Sequence, residues 1–279
     1  MRDFTEGELH ENLLKIAEEF HRICSKHAIP YYMLGGTMLG AIRHNGFIPW
    51  DDDFDLAIPR TDFNKIFIDK TIELPHHYVA EMDSIALSGK VMDKRYRVTY
   101  GNENWDKLSP YLSIDVLPID GTPNNRVMRA IHFYRVMIAF VNVKLKNLEF
   151  ISSIENLKNR KSRPVIEKVI IKYGLFLTAF FRKVSNEDLV KKYSALSSRY
   201  KFENSEKVCI FGGRYRKKEM IDRAIIGQGR MVQFEDIKIR VYEKVEQYLS
   251  NIYGSSYMSI PKPEYYEKHG KISVQRNQE

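Results

Sequence analysis

The chain has 279 residues, 43% of them hydrophobic, and a formal net charge of +8. That is ample apolar material for one large core or two ordinary ones, and no low-complexity tract marks a disordered chain. Its two cysteines, Cys24 and Cys209, sit in no metal-ligand or redox spacing, which excludes a cysteine-built centre and makes a reducing, cytoplasmic compartment the expectation. In chain order, residues 5–27 read as an amphipathic helix, with Leu13, Ile16, Ala17, Phe20, Ile23 and Cys24 on one face and Thr5 with Glu8 as a capping box. The run "YYML" at 31–34 reads as a short strand broken by Gly35-Gly36, followed by one or two helical turns over 37–44. Residues 53–58 have strand character stopped by Pro59, and Thr61-Asp62 is placed to cap the next helix. Strands are expected at 77–82, 95–100 and 113–118, and helices at 127–146, 164–183 and 185–200. Strand character returns at 207–211 and 230–241, and a last helix over 242–253 is closed by Gly254.

The positive charge is not spread evenly. Residues 121–205 hold 17 Lys/Arg against 6 Asp/Glu, so this segment alone carries +11 and the rest of the chain carries −3. The charge asymmetry coincides with the run of helices. The pattern therefore predicts a mixed α/β fold of the α+β kind in three parts: a catalytic core over 1–120, a basic helical insert over 121–205, and strands and a helix over 206–279 that complete the core. The N-terminal run "MRDFTEGELHENLL" is charged where a signal peptide needs an apolar stretch. No segment approaches the ~20 apolar residues of a membrane-spanning helix.

The most informative stretch is "MLGGTMLGAIRHNGFIPWDDDFDLAIPR", residues 33–60. In an extended chain, alternate side chains share a face, so Asp51, Asp53 and Asp55 project together while Asp52 points away. Three carboxylates on one face repel one another unless a cation compensates. The hard oxygen donors suit Mg2+ or Mn2+, and two such ions clamp both oxygens of a phosphoryl displacement. The flanking Trp50, Phe54, Leu56 and Ile58 favour burial, which argues against a merely solvated acidic loop. Gly35 and Gly36 supply a tight turn, and a helix opened at Thr37 presents N–H groups and the positive end of its dipole to phosphate. A third acid is expected from a neighbouring strand. In "YLSIDVLPIDG" (111–121), Asp115 lies between Ile114 and Val116, where an ionised carboxylate needs a partner or a metal. Asp120, before Gly121, reads as a turn residue.

Other residues have two readings. Arg43 and His44 close the short helix, where they either bind phosphate or acceptor or simply complement the dipole. Trp50 is a candidate for stacking on a base or a methylammonium group, with burial as the plainer reading. Lys217 and Lys218 in "GGRYRKKEM" (212–220) are candidate phosphate contacts in an otherwise solvated basic loop.

The stretches "LGGTMLGAIRHNGFIPWDDDFDLAIPR" and "IDVLPIDG" resemble the first two signature blocks of the LicD-type phosphotransferases, a family similar to the fukutin-related proteins. The stretch "FEDIKIRVYEKVEQYLSNIYGSSYMSIPKP" (234–263) is similar to the third block, and His269 loosely resembles a family position. The resemblance implies a nucleotidyltransferase-like mixed sheet with flanking helices. It also implies transfer of a phospho-alcohol from a CDP-activated donor such as CDP-choline to a hydroxyl of a cell-surface glycan or lipid-linked oligosaccharide, with release of CMP. Lipopolysaccharide and teichoic acid are acceptors of that class. Carried over, Asp53 and Asp55 hold magnesium with Asp51 as helper, and Asp115 completes the site and takes the acceptor's proton. Gly35, Gly36 and Thr37 face the donor phosphates.

Two other functions fit parts of the pattern. Nucleotidyl transfer with release of pyrophosphate would use the same acids. A lipid- or nucleic-acid-binding module would use the basic segment but has no need of Asp53, Asp55 and Asp115 together, and no aromatic platform for nucleic acid is evident. Within the insert, residues 136–143 and 173–181 are short apolar runs flanked by Lys and Arg. They are read either as a peripheral contact with the inner face of the plasma membrane or as the core of a helical subdomain.

Overall fold

In the computed structural model, residues 4–99, 109–148, 183–263 and 273–276 are described. The expected helix at 164–183, the apolar run at 173–181 and His269 lie outside the described residues, apart from Lys183.

The fold is organised around two buried apolar strands. β2 (Asp55–Pro59) runs parallel to β5 (Tyr111–Gly121), and the register sets Asp55 beside Asp115 and Leu56 beside Val116. β1 (Tyr32–Met33) pairs antiparallel with β2 on its other side. β4 (Ser88–Thr99) pairs antiparallel with β5, β3 (Tyr78–Asp83) folds back on β4, and β10 (Ser273–Arg276) extends the sheet along the far half of β4. The end of β5 continues into β6 (Lys207–Cys209) and β7 (Met220–Asp222), giving a curled mixed sheet of eight strands. The strand character expected at 230–241 takes the form of a separate hairpin, β8 (Arg230–Phe234) with β9 (Ile237–Val241). The turn falls at Glu235, whose φ of 49° is the left-handed conformation such a tight reversal needs.

The helices cover this sheet with the faces their periodicity predicts. α1 (Glu6–Lys26) buries Leu13, Ile16, Ala17, Phe20, Ile23 and Cys24, and both halves of the Thr5–Glu8 capping box are formed. α2 (Gly35–Arg43) begins at Gly35, two residues earlier than expected. α3 (Arg60–Phe67) has Pro59 at its N-cap position and no side-chain cap, so Thr61 and Asp62 lie inside the helix, where Asp62 pairs with Lys65. Further along are α4 (Arg126–Lys146), α5 (Asn186–Ser197), the single turn α6 (Arg223–Ile226) and α7 (Val245–Tyr253), which ends at Gly254 with φ of 91°.

α4 and α5 meet over a second apolar cluster beside β6, formed by Phe133, Val136, Phe140 and Val143 with Leu189, Tyr193, Cys209 and Phe211. The expected apolar run 136–143 is therefore split. Val136, Ala139, Phe140 and Val143 are buried, while Ile138 and Val141 face outward. Among the described residues, no helix is long and apolar enough to cross a membrane.

Asp120 is not a turn residue. It lies in β5 and is buried, and its carboxylate accepts from Arg60 Nε at 2.7 Å and from Arg60 Nη2 at 2.9 Å. Arg60 also reaches Ser197 Oγ at 3.2 Å. Burial forbids an unpaired charge there, and the bidentate guanidinium satisfies both carboxylate oxygens.

Candidate active site

A pocket of about 510 Å³ opens where α2 starts. Its floor carries Gly35, Gly36, Asp51, Asp53 and Asp55. The glycines have specific reasons to be there. Gly35 has φ of 53°, which an L side chain rarely adopts, and a Cβ on Gly36 would lie 2.9 Å from Asp51 Oδ2. Without that side chain, the Asp51 carboxylate can lie against the opening turn of the helix. No side chain caps this end of α2, although the Tyr248 hydroxyl takes a hydrogen bond from the Gly35 backbone. Thr37 has a different position from the one expected. It is buried, and its hydroxyl accepts the Asp55 N–H at 2.9 Å, so it fixes the start of β2.

The aspartates do not form a strand face. Asp51 N–H turns back to Ile48 O at 2.9 Å, and sheet pairing begins only at Asp55 and Leu56. Residues 51–54 are therefore irregular, and the alternation expected for 51, 53 and 55 is not imposed on them. The result still gathers acids. Asp51, Asp52 and Asp53 each offer a carboxylate oxygen within 4.8 Å of the others, so Asp52 does not point away from its neighbours. Asp51, Asp53 and Asp55 all line the pocket.

Asp55 is held well above the ordinary carboxylate range, first by burial and then by the charges of Asp53, Asp115 and Asp51, with Lys90 opposing them. The gathered carboxylate oxygens are hard donors of the type that Mg2+ or Mn2+ takes. Asp115 lies across from Asp55 in the β2–β5 register, with Lys90 Nζ 3.0 Å from its Oδ1 and Ser88 Oγ at 3.4 Å. Lys90 was not legible in the sequence because its relevance follows only from the β4–β5 register, which sets it opposite Asp115.

The segment bearing the acids is pinned from outside. Glu235, in the hairpin turn, accepts the Phe47 N–H at 2.9 Å and donates its own N–H to Asn45 O at 2.8 Å. His10 stacks on Phe47 with ring centres 4.1 Å apart and bonds the Asp51 carbonyl at 2.7 Å.

The remaining walls come from distant parts of the chain. Arg43 lines the pocket and donates to the carbonyls of Tyr257 at 3.1 Å and Ser259 at 3.3 Å, so it ties down the segment after α7. His44 meets the edge of Trp50 at 6.2 Å, and its pKa is lowered by burial and by Arg43. Trp50 is half-buried and lines the pocket. From the basic loop, the pocket takes Gly213, Arg214, Tyr215 and Glu219. Lys217 and Lys218, in a 3-10 turn (Arg216–Glu219), are not among the lining residues, and Lys218 donates to Ile252 O at 3.0 Å. The sequence also gave no sign of Glu219 and Tyr253. Glu219 is buried, accepts from the Tyr248 hydroxyl at 3.2 Å, and has its pKa pushed up to about 7 by burial.

The site thus gathers carboxylates beside the start of a glycine-opened helix on a mixed sheet. In comparison with known proteins, residues 28–154 match the family described as LicD/FKTN/FKRP, nucleotidyltransferase domain. Over 96% of this chain and 97% of the relative, the sequence is 28% identical to the lipopolysaccharide cholinephosphotransferase LicD of Haemophilus influenzae. A stretch of 51 residues, 18% of this chain, is 41% identical to uncharacterized proteins of Rickettsia prowazekii and Rickettsia typhi, covering 19% and 16% of them.

Proposed function

We propose that this chain is a phosphotransferase that moves a phosphocholine-type group from a CDP-activated alcohol to a hydroxyl of a lipopolysaccharide-type glycan, releasing CMP. The observation that carries the reading is the convergence of Asp51, Asp53 and Asp55 on the pocket into which Gly35 and Gly36 open. The near full-length likeness to a cholinephosphotransferase supports the choice of group and acceptor.

In this reading Asp51, Asp53 and Asp55 hold the divalent cation, with Asp115 beside them. Bound there, the cation supplies charge neutralisation for the donor's diphosphate and for the charge that develops on its leaving phosphate. The opening turn of α2 orients the diphosphate by its dipole, and Gly36 lets it approach the backbone. Asp115 accepts the proton of the attacking sugar hydroxyl, and Lys90 at 3.0 Å holds its carboxylate in place. Arg43 holds the Tyr257 and Ser259 carbonyls, and so fixes that wall of the pocket. Such a site needs little covalent chemistry, because positioning and electrostatics carry phosphoryl transfer.

The test is incubation of the full chain with CDP-choline and a lipopolysaccharide acceptor, with released nucleotide read by mass spectrometry. CMP is expected, dependent on Mg2+ or Mn2+ and stopped by chelator. Asp53→Asn and Asp55→Asn should each lower turnover by at least about a hundredfold, with the fold intact by circular dichroism. Asp115→Asn should be nearly as severe. Wild-type rates in the Asp53 and Asp55 variants would reject the site, and pyrophosphate from nucleoside triphosphates in place of CMP would favour nucleotidyl transfer.

A further inference from the structure

Helix α4 is apolar on two opposite sides. One side, with Phe133, Val136, Ala139, Phe140 and Val143, fills the second core cluster. The other carries Val127, Ile131, Tyr134, Ile138 and Val141, each between 48% and 66% exposed. Their spacing of three and four residues places them in one row along the helix. Single exposed apolar residues need no explanation, but a continuous row on a helix already anchored from behind does.

The charges on the helix itself share one sign. The helix sequence "RVMRAIHFYRVMIAFVNVKLK" has five Lys/Arg and no Asp or Glu. Arg126 and Arg135 are exposed, whereas Lys144 turns inward to the Ile85 carbonyl. At the start of the helix, Met128 reaches an open groove of about 590 Å³ that Arg199 and Lys201 also line. The acids in the first turn of α5 are engaged locally, Glu187 with Lys191 and Asp188 with Ser185.

We propose that this row is a membrane-surface contact. α4 lies in the headgroup layer of an anionic phospholipid bilayer, with Val127, Ile131, Tyr134, Ile138 and Val141 immersed and Arg126, Arg135, Arg199 and Lys201 against lipid phosphates. A second copy is a poorer occupant. A two-fold contact through this row would bring the uniformly basic flanks of two α4 helices together, whereas anionic lipid neutralises them. The surface is independent of the catalytic reading and holds whichever group the pocket transfers.

Flotation of the full chain with vesicles, alongside light scattering without lipid, tests this. Vesicles containing phosphatidylglycerol should carry the protein up the gradient, vesicles of phosphatidylcholine alone much less, and binding should weaken as salt rises. The double variant Ile131→Ser/Ile138→Ser, in which both side chains are already exposed, should keep its melting temperature and lose about tenfold in lipid partitioning. Arg126→Gln/Arg135→Gln should lose the preference for anionic lipid. Absence of flotation, or flotation unchanged in the Ile131/Ile138 variant, overturns the proposal. So does a wild-type dimer that the same variant converts to monomer.

Discussion

Gly36 marks how closely the acids and the helix start are fitted together. A methyl there would lie 2.9 Å from Asp51 Oδ2, and since that oxygen ends a side chain, the carboxylate can shift while the backbone stays. Gly36→Ala should therefore fold normally by circular dichroism and lose about tenfold to a hundredfold in turnover, because small misplacements of charged groups are costly in such sites. A variant with wild-type kinetics would contradict that role. Glu219 gives a prediction in pH. Burial raises its pKa from the usual 4.5 to about 7, so between those values the folded carboxyl keeps a proton that the unfolded chain has lost. Its contribution to stability is greatest below 4.5 and declines as pH rises through about 7. Glu219→Gln removes this titration, so the melting temperature of the wild type should fall relative to the variant between pH ~5 and ~8. A gap that does not change with pH would contradict it. The acids of residues 51–55 and Asp115 stand out in the sequence because charge amid apolar residues demands a reason. Lys90, Glu219 and Tyr253 do not, because only the tertiary register brings them beside the site.

Arg60 and Asp120 join α3 to β5, and Ser197 adds α5 to the same network. Asp120→Asn leaves a buried guanidinium without its counter-charge and should cost about 3–5 kcal/mol in urea unfolding. The double variant Arg60→Met/Asp120→Leu removes both charges and should lie much nearer the wild type. A single variant within about 1 kcal/mol of the wild type would show that the pair is not the clasp described. The same logic explains which elements were legible in advance. α1, α4, α5 and α7 follow their apolar periodicity because each buries one stripe in an apolar cluster, and the Thr5 cap is local. The strand expected over 53–58 begins only at Asp55, because the alternation of Asp53, Phe54, Asp55 and Leu56 resembles a strand even where ladder pairing has not started. The early start of α2 was missed because two glycines look like a break, although here the first of them opens the helix at positive φ.

The molecule assembles its pocket from Leu117 of β5 and three stretches far apart in sequence: residues 34–55, 213–219 and 253–261. The first is a compact signature, so its acids and glycine turn stand out in the sequence. The other two close the cavity through Arg43, Tyr215 and Tyr253, whose pairings depend on how α2, α7 and the 3-10 turn pack together. The central claim is that the gathered carboxylates bind a divalent cation next to the helix start. Calorimetric titration of Mn2+ into the full chain, with and without CDP-choline, tests it most directly. Saturable binding is expected, tighter with the nucleotide and lost in Asp53→Asn/Asp55→Asn with the fold unchanged. No saturable binding to the wild type, or equal binding to the variant, would contradict it.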